Sequence, residues 1–250
     1  MTENSKIERV EPIGSFSRRD LLRLGVGAGA ASLLSACGWK GGKLGRSAFA
    51  AAGDLNDWAG EHLWLSPSRL APTYELAERT PEAAFPAYFI SRPVPTLADP
   101  AAWGLEIGGL VSRPMRLTLD QLQTLPRLTY TVKHHCVEGW TAIGTWTGVP
   151  LAAVAALVEP LPSARYLRFE SFDPGYYNGF DLKSAMHPQT ILAYAFSDRP
   201  LTPQRGAPLR LYSPVKLGYK MTKYLTRIDW TADRPGGYWE DRGYPWFGGI

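Results

Sequence analysis

Only two cysteines occur in this chain of 250 residues, Cys37 and Cys136, and they constrain the fold more than any other feature. Cys37 closes an N-terminal stretch with the pattern of an export signal, so Cys136 is the one thiol left to the mature protein if Cys37 is acylated. A single thiol cannot form an intramolecular disulfide. The mature chain must therefore be stabilised by an apolar core, which a chain of 250 residues with 45% hydrophobic residues is able to form.

Residues 1–37 are predicted to be a targeting signal rather than part of the fold. The stretch from Ser17 to Arg23, SRRDLLR, fits the twin-arginine pattern, and an apolar run rich in Gly and Ala follows it from 24 to 36. That run is too short to predict a membrane-spanning helix. The alternative is a chance pair of arginines before an amphipathic helix. Because the twin-arginine route exports folded proteins, we expect a periplasmic protein that receives a cofactor before export.

Two processing events are compatible with the end of this signal. The sequence from Leu34 to Cys37, LSAC, resembles a lipobox, in which Cys37 is acylated and anchors the protein to a membrane. Ala48-Phe49-Ala50 instead fits ordinary cleavage by a signal peptidase. The lipobox is favoured because it lies where the apolar run stops. Residues 38–84 are then predicted to be a tether, partly ordered against a domain that comprises residues 85–250.

Short strands mixed with few helices predict an α+β domain, mixed and β-rich, rather than a doubly wound sheet. Thr118 to Gln121 fits a capping box that opens a short helix. Val149-Pro150 opens a second helix that reaches about Val158, with the proline in its first turn. Strands are predicted at 103–111, 128–132, 166–172, 190–196, 209–212 and 224–230.

Cys136 lies in the stretch from His134 to Trp140, HHCVEGW, where several residue types that bind metals are adjacent. A thiolate suits a soft or covalent metal centre. Zinc is poorly supported, since neighbouring residues cannot easily all face one ion and no second Cys pair completes four ligands. A Cys–His nucleophile pair lacks any local signature of a cysteine protease. A buried, inert cysteine is the simplest alternative.

A basic cluster follows in the sequence, from Arg205 to Arg210 (RGAPLR) and then Lys216, Lys220 and Lys223. Guanidinium and ammonium groups among glycines are suited to binding a phosphate group, and the alternative is a solvated positive face. The formal net charge is only +4 and no basic arm is present, so nucleic acid is not expected as a partner. A thiolate ligand and a cationic pocket for a phosphorylated cofactor are the two halves of a molybdopterin site.

Three ordered motifs make this interpretation specific: "CVEGW…W.GVPL", "GAPLRL…P…GYK..K" and "GYWEDRGY". They resemble the sulfite-oxidase superfamily of molybdopterin enzymes, in particular its bacterial periplasmic branch, from about Phe85 to Tyr244. The resemblance implies one molybdenum-molybdopterin per chain and two-electron oxygen-atom transfer, with a neutral sulfoxide-type substrate. The alternatives are a sulfite-type dehydrogenase and a cofactor-free, lipid-anchored binding protein.

The same resemblance assigns roles to individual residues. Cys136 corresponds to the molybdenum ligand, and Glu138 to a carboxylate close to the metal that handles protons. The positions that correspond to cofactor contacts are Tyr88, Phe89, Ser91, Arg92, Ser171, Arg205, Arg210, Met221, Thr222 and Lys223.

This sequence departs from the family pattern at several positions. Where relatives usually have Asn or His, this chain has Arg205, and an Asn contact expected near Pro86 is missing. Sulfite oxidases follow the ligand cysteine with a Gly-Asn-Arg type of sequence, whereas Glu138 lies in that region here. A carboxylate about 4 Å from sulfite would repel it by about 1 to 4 kcal/mol, which favours neutral substrates. The chain has no haem-binding Cys-x-x-Cys-His, so electrons are expected from a separate protein, either a haem membrane subunit or a cytochrome c.

Overall fold

A computed structural model describes residues 43–66, 68–97 and 99–250. The predicted twin-arginine signal and Cys37 lie outside the described residues. The chain divides into two compact units, Met1–Ala52 and Gly53–Ile250, and the site described below belongs to the second. In the first unit the described residues, from Lys43 onward, are helical. Among the helices that the structure describes, none combines the length and the apolar character needed to cross a membrane.

Four α-helices and ten strands form the described chain, with short 3₁₀ and π turns between them. The helices are α1 (Lys43–Ala59), α2 (Leu119–Gln123), α3 (Leu151–Val158) and α4 (Leu182–Ala185). The strands are β1 (Leu105–Gly109), β2 (Met115–Leu117), β3 (Leu128–His135), β4 (Thr141–Pro150), β5 (Tyr166–Ser171), β6 (Tyr177–Asp181), β7 (Ile191–Phe196), β8 (Arg199–Pro200), β9 (Arg210–Tyr212) and β10 (Leu225–Thr231).

The strands form two sheets. One has the order β2-β1-β10-β5-β6, and the other has the order β3-β4-β7-β8 with β9 paired to β7. Strands β1 and β10 run parallel, with Ile107 opposite Ile228, and the other strand pairs of the described chain are antiparallel. One mixed and one antiparallel sheet, with few helices, confirm the α+β prediction.

The main apolar core contains residues from both sheets and from α3. Helix α3 buries Leu151, Val154 and Val158, the spacing that gives one apolar helical face. They join residues of the first sheet such as Leu167 and Trp230, both fully buried. Each large apolar side chain buried in this way stabilises the fold by about 1.5 to 3 kcal/mol. A second cluster, rich in aromatic residues, includes Phe85, Trp146, Phe196 and Tyr212.

Local sequence signals place some elements correctly and miss others. The capping box forms as predicted: Gln121 N donates to Thr118 Oγ1 (3.2 Å) and Thr118 N donates to Gln121 Oε1 (2.9 Å). Pro150 is the N-cap residue of α3 rather than a residue of its first turn. Strand β4 was not predicted, because its sequence TAIGTWTGVP contains two glycines and does not alternate. Apart from Thr141 at its start, its residues are buried or half-buried on both faces of the sheet, so alternation is not required.

Residues upstream of the predicted boundary at 85 belong to the packed unit, which begins at Gly53. The Asp57 carboxylate accepts hydrogen bonds from the backbone N–H of Trp246 (2.8 Å) and of Phe247 (2.9 Å). Further along, Thr73 pairs with Val132 of β3. Helix α1 lies within the segment predicted to be a tether. The helix forms there because its run of alanines strongly favours helical structure.

Candidate active site

Cys136 lies in a tight turn between β3 and β4. Its backbone N–H donates to Trp140 O (3.0 Å), and Gly139 N donates to Cys136 O (3.1 Å). Gly139 has a φ of +91°, a left-handed conformation that is favourable only for glycine. The turn therefore holds the half-buried thiol in a fixed position at the end of an edge strand.

Glu138 and Trp140 flank this thiol. Cys136 Sγ lies 3.7 Å from Glu138 Oε2, and Trp140 Nε1 donates to the same oxygen at 2.9 Å. Burial raises the pKa of the Cys136 thiol, and the negative charge of Glu138 adds to this effect. A bound metal cation reverses this preference, because a coordinating thiol is deprotonated.

A cavity opens in front of the thiol, between the segment before β1, the Cys136 turn, the 203–224 region and the C-terminal segment. The residues predicted to form the site that line it are Tyr88, Phe89, Cys136, Glu138, Ser171, Arg205, Arg210, Met221 and Lys223. The structure thus brings together residues that are separated by more than a hundred positions in the sequence.

Three predicted contacts do not line the cavity. Ser91 Oγ donates a hydrogen bond to the carboxylate of Asp173, which does line the cavity. Ser91 therefore contacts a lining residue and not the cavity itself. The Arg92 side chain is exposed to solvent. Thr222 is fully buried beside the two lining residues Met221 and Lys223, and its Oγ1 has no hydrogen-bond partner.

Other lining residues were not predicted: His134, Trp140, Trp146, Asp173, Tyr176, Gly218, Tyr224, Trp239 and Tyr244 are among them. His134 and Trp140 belong to the HHCVEGW stretch, and Trp146 to W.GVPL. Gly218 belongs to GYK..K, and Trp239 and Tyr244 to the GYWEDRGY motif, so a signal for these six was present. Asp173 and the residues around it had no recognisable motif.

Three cations, Arg205, Arg210 and Lys223, line the cavity. Arg205 and Arg210 are only 7% and 5% exposed, so the alternative of a solvated positive face is wrong for both. Burial lowers the pKa of Arg210 to about 10, and the charge of Arg205 contributes in the same direction. Burial, followed by the charges of Arg210 and Arg205, lowers the pKa of Lys223 well below its usual value. Within the described ranges, none of the three forms an ion pair with a carboxylate.

The remaining two lysines of the basic cluster lie elsewhere. Lys216 Nζ donates to Asp181 Oδ2 (3.4 Å) and to Phe247 O (2.7 Å), and Lys220 is paired with Glu240. Both lysines are fully buried in an ionic network that contacts the C-terminal segment. The structure therefore divides the basic cluster into a structural pair and the three cations of the cavity.

Unpaired polar atoms around the cavity fit the same kind of ligand as the cations do. His134 Nδ1, Thr222 Oγ1 and Tyr224 Oη are buried without hydrogen-bond partners. Burial and the nearby charge of Arg210 lower the pKa of His134 to about 3, so its imidazole is neutral at physiological pH. Gly218 allows this ring to approach, because a Cβ there would lie 2.7 Å from His134 Nε2. Buried cations and orphaned polar groups both call for an anionic partner that forms several hydrogen bonds.

The site thus combines a half-buried thiol with a cationic, aromatic cavity, which suits a phosphorylated metal cofactor. No group of three or more His, Cys, Asp or Glu side chains in the described chain could hold a metal ion by itself.

Comparison with known proteins identifies that cofactor. The model of the family described as "Oxidoreductase molybdopterin binding domain" matches residues 91–239. The chain therefore belongs to this family, within the sulfite oxidase superfamily, and is a molybdopterin-dependent oxidoreductase that uses a molybdenum cofactor.

Two relatives and one solved structure illustrate the similarity. The chain is 39% identical over 234 residues (93% of this chain, 88% of the relative) to the putative protein-methionine-sulfoxide reductase subunit YedZ1 of Azospira oryzae. It is 29% identical over 154 residues (55% of this chain, 52% of the relative) to the protein-methionine-sulfoxide reductase catalytic subunit MsrP of Campylobacter jejuni. The sulfane dehydrogenase SoxCD from Paracoccus pantotrophus has a TM-score of 0.53 at 23% identity, over 56% of this chain and 41% of that one. The last comparison concerns the fold alone.

Proposed function

We propose that this protein reduces a neutral sulfoxide by two-electron oxygen-atom transfer at one molybdenum-molybdopterin per chain. The observation that carries the proposal is the pairing of the Cys136 thiol with the Glu138 carboxylate, whose oxygen lies 3.7 Å from the sulfur. The two relatives named as methionine-sulfoxide reductase subunits support the same substrate class.

Each group at the site has a distinct task in this reaction. When bound, the molybdenum-molybdopterin supplies the two-electron oxygen-atom chemistry. Cys136 would be the ligand from the protein, and Arg210 and Lys223 would hold the phosphate end through charge-assisted hydrogen bonds. The cofactor would also satisfy the orphaned atoms of His134 and Tyr224.

Protons reach the reacting oxygen through Glu138. Reducing a sulfoxide consumes two electrons and two protons, breaks the S–O bond, and releases a sulfide and water. The Glu138 side chain is exposed to solvent, so its carboxylate is able to exchange protons with water and pass them toward the site. The hydrogen bond from Trp140 Nε1 keeps that carboxylate turned toward the thiol.

The charge of Glu138 also distinguishes substrates. A sulfite anion about 4 Å from this carboxylate would be destabilised by about 1 to 4 kcal/mol, whereas an uncharged sulfoxide would not. The sulfite-type dehydrogenase is therefore the less favoured reading. The fold likeness to SoxCD does not bear on substrate.

Electrons would come from a separate protein, either a haem-containing membrane subunit or a cytochrome c, because the sequence has no haem-binding motif. The two relatives are named as a "subunit" and a "catalytic subunit", which supports such a partner. The twin-arginine stretch supports export to the periplasm, and Cys37 supports a lipid anchor.

Metal analysis and a substrate screen test the proposal together. The protein purified with its cofactor should contain about one molybdenum atom per chain, and a reduced viologen dye should drive reduction of methionine sulfoxide and dimethyl sulfoxide. Turnover of sulfite with ferricyanide that exceeds sulfoxide reduction would refute the substrate assignment. Absence of molybdenum would instead favour a binding protein that has lost catalysis.

Lipidation needs its own experiment. Cys37→Ala should release the protein from the membrane fraction and remove the mass of the acyl groups. If the protein without this substitution is already soluble, the signal is cleaved near Ala50 and Cys37 is not acylated.

A further inference from the structure

Arg205 was predicted from resemblance to be a cofactor contact, but its side chain donates hydrogen bonds to backbone carbonyls of the protein. Its Nη1 donates to Pro86 O (2.8 Å), and its Nη2 donates to Phe85 O (2.7 Å) and to Glu82 O (3.2 Å). Three of the five N–H donors of the guanidinium thus bind backbone carbonyls of one segment. We call residues 82–89 the entry segment, because it leads into the cavity.

Two aromatic rings fix the plane of the same guanidinium. Arg205 Cζ lies 4.6 Å from the ring centre of Phe85 and 4.9 Å from that of Phe196. Such contacts with aromatic rings fix the orientation of the planar guanidinium and also stabilise its positive charge. The position of Arg205 is therefore set by the protein itself.

Besides its hydrogen bonds to Arg205, the entry segment is held by the Phe85 ring, which is buried in the second aromatic cluster. It forms one 3₁₀ turn, Glu82–Ala84, and does not pair with a strand in the described chain. Its far end is held by Lys223 Nζ, which donates to Tyr88 O (2.5 Å). Yet this segment contributes Tyr88 and Phe89 to the cavity wall, beside Cys136.

Arg205 also connects this segment to the buried cation beside it. Arg210 Nη1 donates to Arg205 O (3.1 Å), so the backbone of Arg205 helps to orient Arg210 while its side chain grips the entry segment. The two family departures described above, at Arg205 and at Pro86, are the two ends of one hydrogen bond of 2.8 Å.

We propose that Arg205 is a positioning residue, which holds the entry segment in place so that Tyr88 and Phe89 form the wall of the cofactor cavity. It acts through these residues and does not take the phosphate-binding role predicted from sequence. This inference depends on the cavity being the cofactor site and is independent of which substrate is reduced.

Hydrogen–deuterium exchange of the cofactor-free protein separates the two roles. The full chain, with Arg205→Lys or Arg205→Gln, would be purified from cells that cannot synthesise molybdopterin. Loss of three carbonyl contacts should speed exchange across residues 82–90 by about tenfold or more in Arg205→Gln. Arg205→Lys should give an intermediate increase, because an ammonium reaches fewer carbonyls than a fork. Exchange in β5 and β10 should not change.

Arg234→Lys is the matched control. Arg234 also stacks on an aromatic ring, Trp246 at 4.4 Å, but it does not contact the entry segment. Its variant should leave exchange at 82–90 as in the parent protein.

Two outcomes would overturn the proposal. An arginine that only binds the cofactor's phosphate has no partner in the cofactor-free protein. Unchanged exchange at 82–90 in both Arg205 variants would therefore restore the predicted phosphate-binding role of Arg205. Faster exchange throughout the chain, in both variants, would mean that Arg205 is simply a core residue. In the loaded enzyme, a positioning role further requires that Arg205→Lys raise the KM for the sulfoxide more than it lowers kcat.

Discussion

Trp140 Nε1 donates a hydrogen bond to Glu138 Oε2 at 2.9 Å, and this bond fixes the carboxylate beside the only thiol of the described chain. Both residues belong to the five-residue turn between β3 and β4, so the arrangement is local and rigid. The same oxygen lies 3.7 Å from Cys136 Sγ, so in the proposed reaction an anionic substrate at a metal bound by Cys136 would meet this negative charge.

Cys136→Ser should abolish turnover while preserving the fold. The exchange is nearly isosteric, but a hydroxyl is a harder and less covalent ligand than a thiolate, and it shifts the redox levels of the metal. We expect sulfoxide reduction to fall by more than about 100-fold, the upper range for residues that support a metal site less directly. Electron paramagnetic resonance of the molybdenum would report the change of ligand. Wild-type spectra and turnover would mean that the thiol is only a small buried side chain.

Glu138→Gln should change substrate preference more than molybdenum content. Glutamine keeps the shape and still accepts the hydrogen bond from Trp140, but it removes the negative charge. Sulfite should then bind or react about tenfold better, since about 1.4 kcal/mol of repulsion corresponds to that factor. Steady-state kinetics with sulfite and with methionine sulfoxide would measure the shift. Glu106→Gln, at an exposed position of β1, is the control and should have no effect. If the parent protein and both variants show the same preference between sulfite and methionine sulfoxide, the charge of Glu138 does not exclude sulfite.

Arg210→Ala should lower the molybdopterin content of the purified protein. A charge-assisted hydrogen bond to phosphate contributes about 1.5 to 3 kcal/mol, so retention of the cofactor should weaken by about 10- to 100-fold. Fluorescence of the oxidised pterin after its release would quantify occupancy. Arg168→Ala is a matched control, because Arg168 also lies over an aromatic ring, Tyr177 at 4.2 Å, on a strand that does not carry the cation cluster. Full occupancy in Arg210→Ala would show that this cation does not bind the cofactor.

Lys216 should make the stability of the protein rise with pH above neutrality. Burial lowers its pKa from 10.5 to about 7 in the folded protein. Between these two values the unfolded chain binds more protons than the folded one, so the free energy of unfolding increases with pH, by at most about 1.4 kcal/mol per pH unit. Lys216→Met should reduce this slope between pH 7 and pH 10, as measured by chemical denaturation. Identical slopes for both proteins would show that Lys216 does not titrate in this range.

Replacing Arg18 and Arg19 together with lysine should leave the protein in the cytosol, because the arginine pair is the recognised export address. Cell fractionation followed by immunoblotting would locate it. Arg23→Lys, a few residues outside the pair, should be exported normally. Periplasmic accumulation of the double variant would show that the signal has been misinterpreted.

Local patterns were sufficient to predict the elements that depend on neighbouring residues. The Thr118–Gln121 capping box, helix α3 and the turn at Cys136 each depend on contacts within a few positions. Strand β4 escaped prediction because its stability comes from β3 and β7 on either side, so its own sequence did not need an alternating pattern.

The sequence by itself determined the chemical inventory: one thiol beyond Cys37, a carboxylate two residues later, and a set of cations around the Gly-Ala-Pro turn. Only the tertiary structure decided how these cations are used. Lys216 and Lys220 are paired with buried carboxylates, whereas Arg205, Arg210 and Lys223 line the cavity without an ion pair in the described chain. Of these three, Arg205 and Lys223 also donate hydrogen bonds to backbone carbonyls of the entry segment. The physical reason is that the role of a charge depends on which groups surround it after burial. Those groups come from segments far apart in the sequence.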